Sequence, residues 1–238
     1  SYYLSTAKDK EAEEALLGAT KADPKEIKTW LAIGDFYLIS GKRDLAIQQY
    51  KHALEIQPGA SVPLKKLAEL YLASGDLEKA NQYISQIIKE NPSDTEGMIL
   101  QGRLNLAENQ VDDAVAVFQK FIKLAPDLPV GHYYLGVAFA ARGDLQQAQK
   151  ELSETIRISP THVEARLALA GIYLRAGDFD LAKTEVSKVL ALQPNNIKAH
   201  LYMGNVAFKQ KDLDKAAQEY KKVIDLNPGS YRAWNNLG

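Results

Sequence analysis

The sequence predicts an all-α chain built from a repeated pair of antiparallel helices, and three series among its 238 residues point there. Proline recurs every 34 residues, at Pro24, Pro58, Pro92, Pro126, Pro160, Pro194 and Pro228. Alanine keeps the same step at Ala12, Ala46, Ala80, Ala114, Ala148, Ala182 and Ala216. Small residues hold a third register at Gly34, Ala68, Gly102, Gly136, Ala170, Gly204 and Gly238. Self-similarity at such a period marks an array of supersecondary units, because one unit cannot bury its apolar face without a neighbour.

Each unit, counted from the third residue after its proline, contains two helices. In the first complete repeat Trp30, Ile33, Gly34 and Tyr37 share one helical face, and Ala46, Tyr50 and Ala53 form the facing stripe. Ser40-Gly41-Lys42 separates them. The same turn falls at Gly75, Gly143 and Gly177, with Asn109 and Lys211 in the equivalent places. These turns need a residue that ends a helix in the left-handed conformation, for which glycine and asparagine are suited. The small residue of the first helix and the alanine of the second let two backbones approach closely. The proline then stops the second helix, because it lacks an N–H and restricts the residue before it. Pro63 and Pro129 stand outside the register, where a helix begins and proline is tolerated. One array therefore fills residues 1–238: a partial repeat over 1–26, complete repeats over 27–60, 61–94, 95–128, 129–162, 163–196 and 197–230, and the start of another over 231–238. Trp234 and Leu237 then lie on a first helix without its partner, as expected for a fragment of a longer protein.

Trp30, Gly34, Tyr37, Ala46, Tyr50, Ala53 and Pro58 carry the pattern W-x2-L/I-G-x2-Y, A-x3-F/Y, A, P, which resembles the tetratricopeptide repeat. The other repeats match it less fully, with Gln101, Asn105, Thr155 and Ala207 in place of the usual apolar or aromatic types. The resemblance implies a right-handed superhelical solenoid that binds protein partners in a groove lined by the first helices.

Composition narrows the function. The 29 basic and 30 acidic side chains nearly cancel, which argues against nucleic acid as partner. The absence of cysteine removes disulfides, thiolate metal sites and thiol nucleophiles. No apolar run is long enough for a membrane span, so the segment is expected to be soluble, in either the bacterial periplasm or envelope or the cytoplasm. No convergent catalytic set is present, and neither an enzyme activity, a cofactor nor a metal is expected. His132 and His200 share the register of Trp30 and Trp234 and read as packing residues; His52 and His162 read as surface residues. Gly41-Lys42 lacks the remaining spacing of a phosphate loop, and Asp112-Asp113 suits the start of a second helix.

Positions 2, 5, 6, 9, 12 and 13 of each first helix form a stripe away from the helix-pair face. It is mixed and charged in the early repeats (Lys28, Asp35, Lys65, Lys66, Glu69) and apolar in the middle, and it turns polar and basic at the end with Lys198, Arg232 and Asn235. Ten residues are assigned to a partner-binding groove: Leu100, Arg103, Tyr133, Tyr134, Val137, Leu167, Tyr202, Asn205, Lys209 and Asn236. The alternative is that curvature packs these apolar side chains against one another. Asn205 and Asn236 match two positions of the carboxylate clamp of chaperone-binding tetratricopeptide domains, but Leu201 replaces a clamp lysine. The expected function is a non-catalytic scaffold binding a peptide or helix, within a bacterial envelope, export or sorting assembly that includes lipoprotein and exopolysaccharide-export parallels. Two further readings are a substrate-recruiting arm of an enzyme and a structural protein that self-associates through its ends.

Overall fold

The computed structural model describes residues 7–237; Ser1 to Thr6, in the expected partial repeat, and Gly238, the last of the small-residue series, lie outside the described residues. Among the described residues there are fourteen α-helices and no strands. They are α1 (Ala7–Ala22), α2 (Ile27–Ile39), α3 (Arg43–Ile56), α4 (Ser61–Ser74), α5 (Leu77–Glu90), α6 (Thr95–Ala107) and α7 (Val111–Leu124). Then follow α8 (Pro129–Arg142), α9 (Leu145–Ile158), α10 (Val163–Ala176), α11 (Phe179–Leu192), α12 (Ile197–Lys209), α13 (Leu213–Leu226) and α14 (Tyr231–Leu237). Two compact units divide the chain, one ending at Gln110 and the other beginning at Val111.

Within the first unit α2 packs on α3 and α4 on α5; within the second α8 packs on α9, α10 on α11 and α12 on α13. The helix turns carry positive φ at Gly41, Gly75, Gly143 and Gly177, and also at Asn109 and Lys211, each near +62°. Asn109 and Lys211 accept this geometry because the turn's backbone hydrogen bonds hold it, as in Gln110 N–H to Asn105 O at 2.7 Å and Asp212 N–H to Ala207 O at 2.9 Å. Several helix starts are capped by side chains: Asp94 accepts from Gly97 N–H at 2.8 Å and Asn196 from Ala199 N–H at 2.9 Å.

Close approach is set where small residues meet large ones. A Cβ added at Gly34 would stand 2.4 Å from the Tyr50 ring, and one added at Gly204 would stand 2.4 Å from Tyr220. The alanine series from Ala46 to Ala216 is buried throughout, whereas Ala12 on α1 is exposed. Polar departures from the repeat pattern are satisfied within their own helices. Gln101 donates to Asn105 at 2.8 Å, and Thr155 to the Glu151 carbonyl at 3.0 Å. Asp112 and Asp113 lie in the first turn of α7, and Asp112 accepts from Arg142 at 3.1 Å.

Candidate functional site

Where position 4 of the repeat carries Trp, His or Arg, it ties the first helix to the preceding turn. The indole N–H of Trp30 donates to Pro24 O, and that of Trp234 to Pro228 O, each at 3.0 Å. In the second unit His132, Arg166 and His200 keep this tie and add a second one. His132 Nε2 lies 3.1 Å from Pro126 O while Nδ1 lies 2.7 Å from Glu151. His200 Nε2 lies 2.8 Å from Pro194 O while Nδ1 lies 2.6 Å from Glu219. Arg166 donates to Pro160 O and pairs with Glu185. His132, Arg166, His200 and Glu219 are buried, Glu151 and Glu185 half-buried, and the pairs hold the first helix against the second. The sequence placed the histidines in packing positions but left their glutamates unread, although each lies 19 residues on. His52 rests edge-on against Trp30 at 4.1 Å, and His162 caps α10. Among the described residues no group of three or more His, Cys, Asp or Glu could hold a metal ion, and no helix is long and apolar enough to cross a membrane.

The opposite stripe of the second unit forms a groove. A cleft of about 660 Å³ is lined by Leu174, Arg175, Asn205, Phe208, Lys209, Tyr220, Asn235 and Asn236, contributed by α10, α12, α13 and α14. A second cleft of about 420 Å³ adjoins it, sharing Leu174, Arg175 and Asn205 and adding Val137, Ala140, Ala168, Gly171 and Tyr202. Thus Val137, Tyr202, Asn205, Lys209 and Asn236 line connected space. Tyr202 lies over Gly171, where an added Cβ would meet its hydroxyl at 3.1 Å. Lys198 stands 5.5 Å above the Tyr202 ring.

The remaining assigned residues sit differently. Leu167 is only 6% exposed, packed in a core with Val163, Val186, Val189 and Met203. Leu100 is 3% exposed and belongs to the core of the first unit. Their side chains are therefore turned inward and offer a partner no free surface. Arg103 is half-buried in the first unit and is not without a partner. Tyr134 stacks on the fully buried Phe118 at 5.5 Å, Tyr133 meets Tyr134 edge-on at 5.0 Å, and His162 lies 4.9 Å from Tyr133. Both tyrosines are half-buried, so mutual packing accounts for part of this apolar stretch. Burial, then the neighbouring Tyr134 and Glu164, push the Tyr133 phenol above its usual range.

Asn205 is the polar centre of the larger cleft. Its side-chain oxygen accepts from the Tyr220 hydroxyl at 2.9 Å and from the Asn236 amide at 3.2 Å, leaving its own N–H donors uncommitted by these bonds. Burial raises the Tyr220 phenol, partly offset by a hydrogen bond from Asn236, so the phenol stays protonated as a donor at neutral pH. Arg175 and Phe208 were missing from the expected groove. They occupy positions 13 and 12, in the same register as Lys209 and Leu174, and the repeat arithmetic could have found them.

A tetratricopeptide repeat model matches residues 37–104 and 139–206, and two further tetratricopeptide repeat models match residues 197–230 and 96–127. Comparison with curated protein sequences gives no match. Among solved structures, a tetratricopeptide repeat protein from Parabacteroides merdae is similar at 20% identity, covering 96% of this chain and 91% of that one with a TM-score of 0.79. Pseudomonas aeruginosa pilF is similar at 17% identity, covering 88% and 95% with a TM-score of 0.73. PilW, a type IV pilus biogenesis factor, is similar at 18% identity, covering 89% and 98% with a TM-score of 0.80. These likenesses concern the fold. With its 34-residue register, its helix pairs and a model match over more than half its length, the chain belongs to the tetratricopeptide repeat family.

Proposed function

We propose that the chain is a non-catalytic scaffold that binds a peptide or helix of a partner protein along the groove formed by the first helices of its second unit. The observation that carries this reading is the pair of adjoining clefts from Val137 to Asn236, lined by both apolar and hydrogen-bonding side chains. Such mixed lining suits a peptide, whose backbone and side chains need both. Tyr202, Phe208 and Arg175 are also residue types that commonly anchor interfaces.

The scaffold belongs to a bacterial envelope, export or sorting assembly on this reading. Its support is the likeness in fold to pilF and to PilW, the latter a type IV pilus biogenesis factor. Affinity capture from a bacterial envelope extract tests both parts. Wild-type chain is compared with Val137→Lys, which places a charge on the groove floor without entering the helix-pair core. Capture of an envelope-assembly component by wild type and its loss with the variant, at unchanged helical circular dichroism, is expected. Equal capture by both would move the site out of the groove.

A further inference from the structure

We propose that the cleft between α10, α12 and α14 takes an extended acidic segment of a partner, holding side-chain carboxylates with Arg175 and Lys209 while an apolar neighbour rests on Leu174 and Phe208. This rests on the groove reading above and names the chemistry of its occupant. The cleft contains two cations and no carboxylate among its lining residues, and neither does the adjoining cleft. Neither Arg175 nor Lys209 has an ion-pair partner among the described residues, although lysine and arginine ion pairs occur in both units elsewhere among them. Lys198 and Arg232 extend the same stripe, against Glu164 as its acidic member. The excess is local, since the whole chain has a formal net charge of −1.

The first unit supplies the internal contrast. Two of its stripe lysines are neutralised across repeats: Lys66 pairs with Asp35 at 2.8 Å, and Lys65 with Asp94 and Glu96, each at 2.8 Å. A repeat array can therefore neutralise this stripe by itself, and in the second unit it does not. The uncommitted N–H donors of Asn205 add to the preference for an acceptor-rich ligand. Phe208 is 51% exposed beside them, an apolar surface that a bare anion would leave uncovered. Arg175 and Lys209 occupy equivalent positions on α10 and α12, which are in contact. Helices in contact lie roughly 8 to 10 Å apart. In the polyproline II form of extended chain, with three residues per turn and about 3.1 Å per residue, carboxylates three residues apart share one face and span that distance.

Fluorescence anisotropy with a short fluorescein-labelled peptide, amidated at its C-terminus and carrying Glu at every third position among Leu and Ser, tests the proposal. The Glu peptide is expected to bind about tenfold more tightly than its Gln counterpart, and to weaken as salt is raised. Arg175→Gln with Lys209→Gln should remove the difference between the two peptides at an unchanged melting temperature. A free C-terminus in place of the amide should change little. Equal binding of Glu and Gln peptides, each weakened by Val137→Lys, would overturn the acidic preference and leave the groove reading standing. Binding that depends on a free terminal carboxylate, or an oligothymidylate that binds as well as the Glu peptide, would also overturn it. If neither peptide binds, this proposal fails; the groove reading would fail separately, if Val137→Lys captured the same partners as wild type.

Discussion

The two units answer the same structural question with different chemistry. In the first, the Tyr50 hydroxyl donates to Asp35 at 2.5 Å, and Lys66 of the next repeat reaches the same carboxylate at 2.8 Å. In the second, the equivalent Tyr220 donates to Asn205 at 2.9 Å, and the equivalent Asn236 reaches the same oxygen at 3.2 Å. One arrangement closes with a charge pair and the other with two neutral amides. The contrast inverts at the helix-pair face. There the second unit buries His132–Glu151, Arg166–Glu185 and His200–Glu219, whereas the first places Leu64 and Met98 at the corresponding register. Charged pairs thus form at Lys65 and Lys66 on the groove side of the first unit and on the packing side of the second. The second unit's groove cations are left for something else to meet.

The largest expected effect comes from breaking a buried pair. Glu219→Leu should destabilise the chain by about 3 kcal/mol, because His200 loses its acceptor in a buried place. His200→Leu combined with Glu219→Tyr, which copies the Leu64 and Tyr83 register of the first unit, should recover most of that loss. Urea denaturation followed by circular dichroism measures both, and a double variant as unstable as the single one would show that the pair is not replaceable by apolar packing.

Next in size is overpacking at the shared close approach. Gly34→Ala and Gly204→Ala should each cost about 2 kcal/mol, since the same tyrosine ring blocks the new methyl group in both units. Local hydrogen exchange would resolve the units, and a neutral outcome at one glycine alone would mean its tyrosine can swing aside.

Acid should then separate the units more gently. Burial pushes the Asp35 carboxyl up, but hydrogen bonds from Lys66 and Tyr50 and the Lys66 charge hold it below the usual range. Asp94 is lowered likewise, with burial opposed by Lys65 and the Gly97 N–H. A depressed carboxylate stabilises the fold fully above its unfolded value of about 3.9 and loses that contribution as pH falls through the folded value. The loss should be under about 1 kcal/mol at Asp35, which is partly exposed. Asp35→Asn should remove its share of this acid dependence, as read by thermal melts from pH 6 to pH 2.

The smallest stability effect, and the sharpest functional one, belongs to Asn205→Asp with Asn236→Lys. This installs the first unit's charge pair in the second unit and should change stability by less than about 0.5 kcal/mol. Because it sets a carboxylate beside Arg175 and Lys209, the variant should lose its preference for Glu over Gln peptides in the anisotropy titration. An unchanged preference would uncouple the cations from Asn205.

Much of the helix pairing was legible because covalent spacing dictates it. A 34-residue register of proline, alanine and small residues needs no knowledge of distant contacts, and the positive-φ turns followed it even at Asn109 and Lys211. The groove was less legible. Val137, Tyr202, Asn205, Lys209 and Asn236 line connected clefts, while Leu100 and Leu167 are buried. Helical angle places a residue on a face, but whether that face is open depends on how closely the next helix approaches. Tyr134 illustrates this, since its exposure is limited by Phe118, a residue of the preceding repeat's second helix.

The sequence by itself determined the repeat, the helix pairs and the places where backbones must come close, because these follow from periodicity and from the size and backbone freedom of individual residues. Only the tertiary structure decided which charges meet. Lys66 finds Asp35 and His200 finds Glu219 through the packing of neighbouring helices, while Arg175 and Lys209 find no carboxylate among the described residues. Electrostatic pairing is a property of side-chain ends in space, and the sequence specifies those ends only through the packing of whole helices.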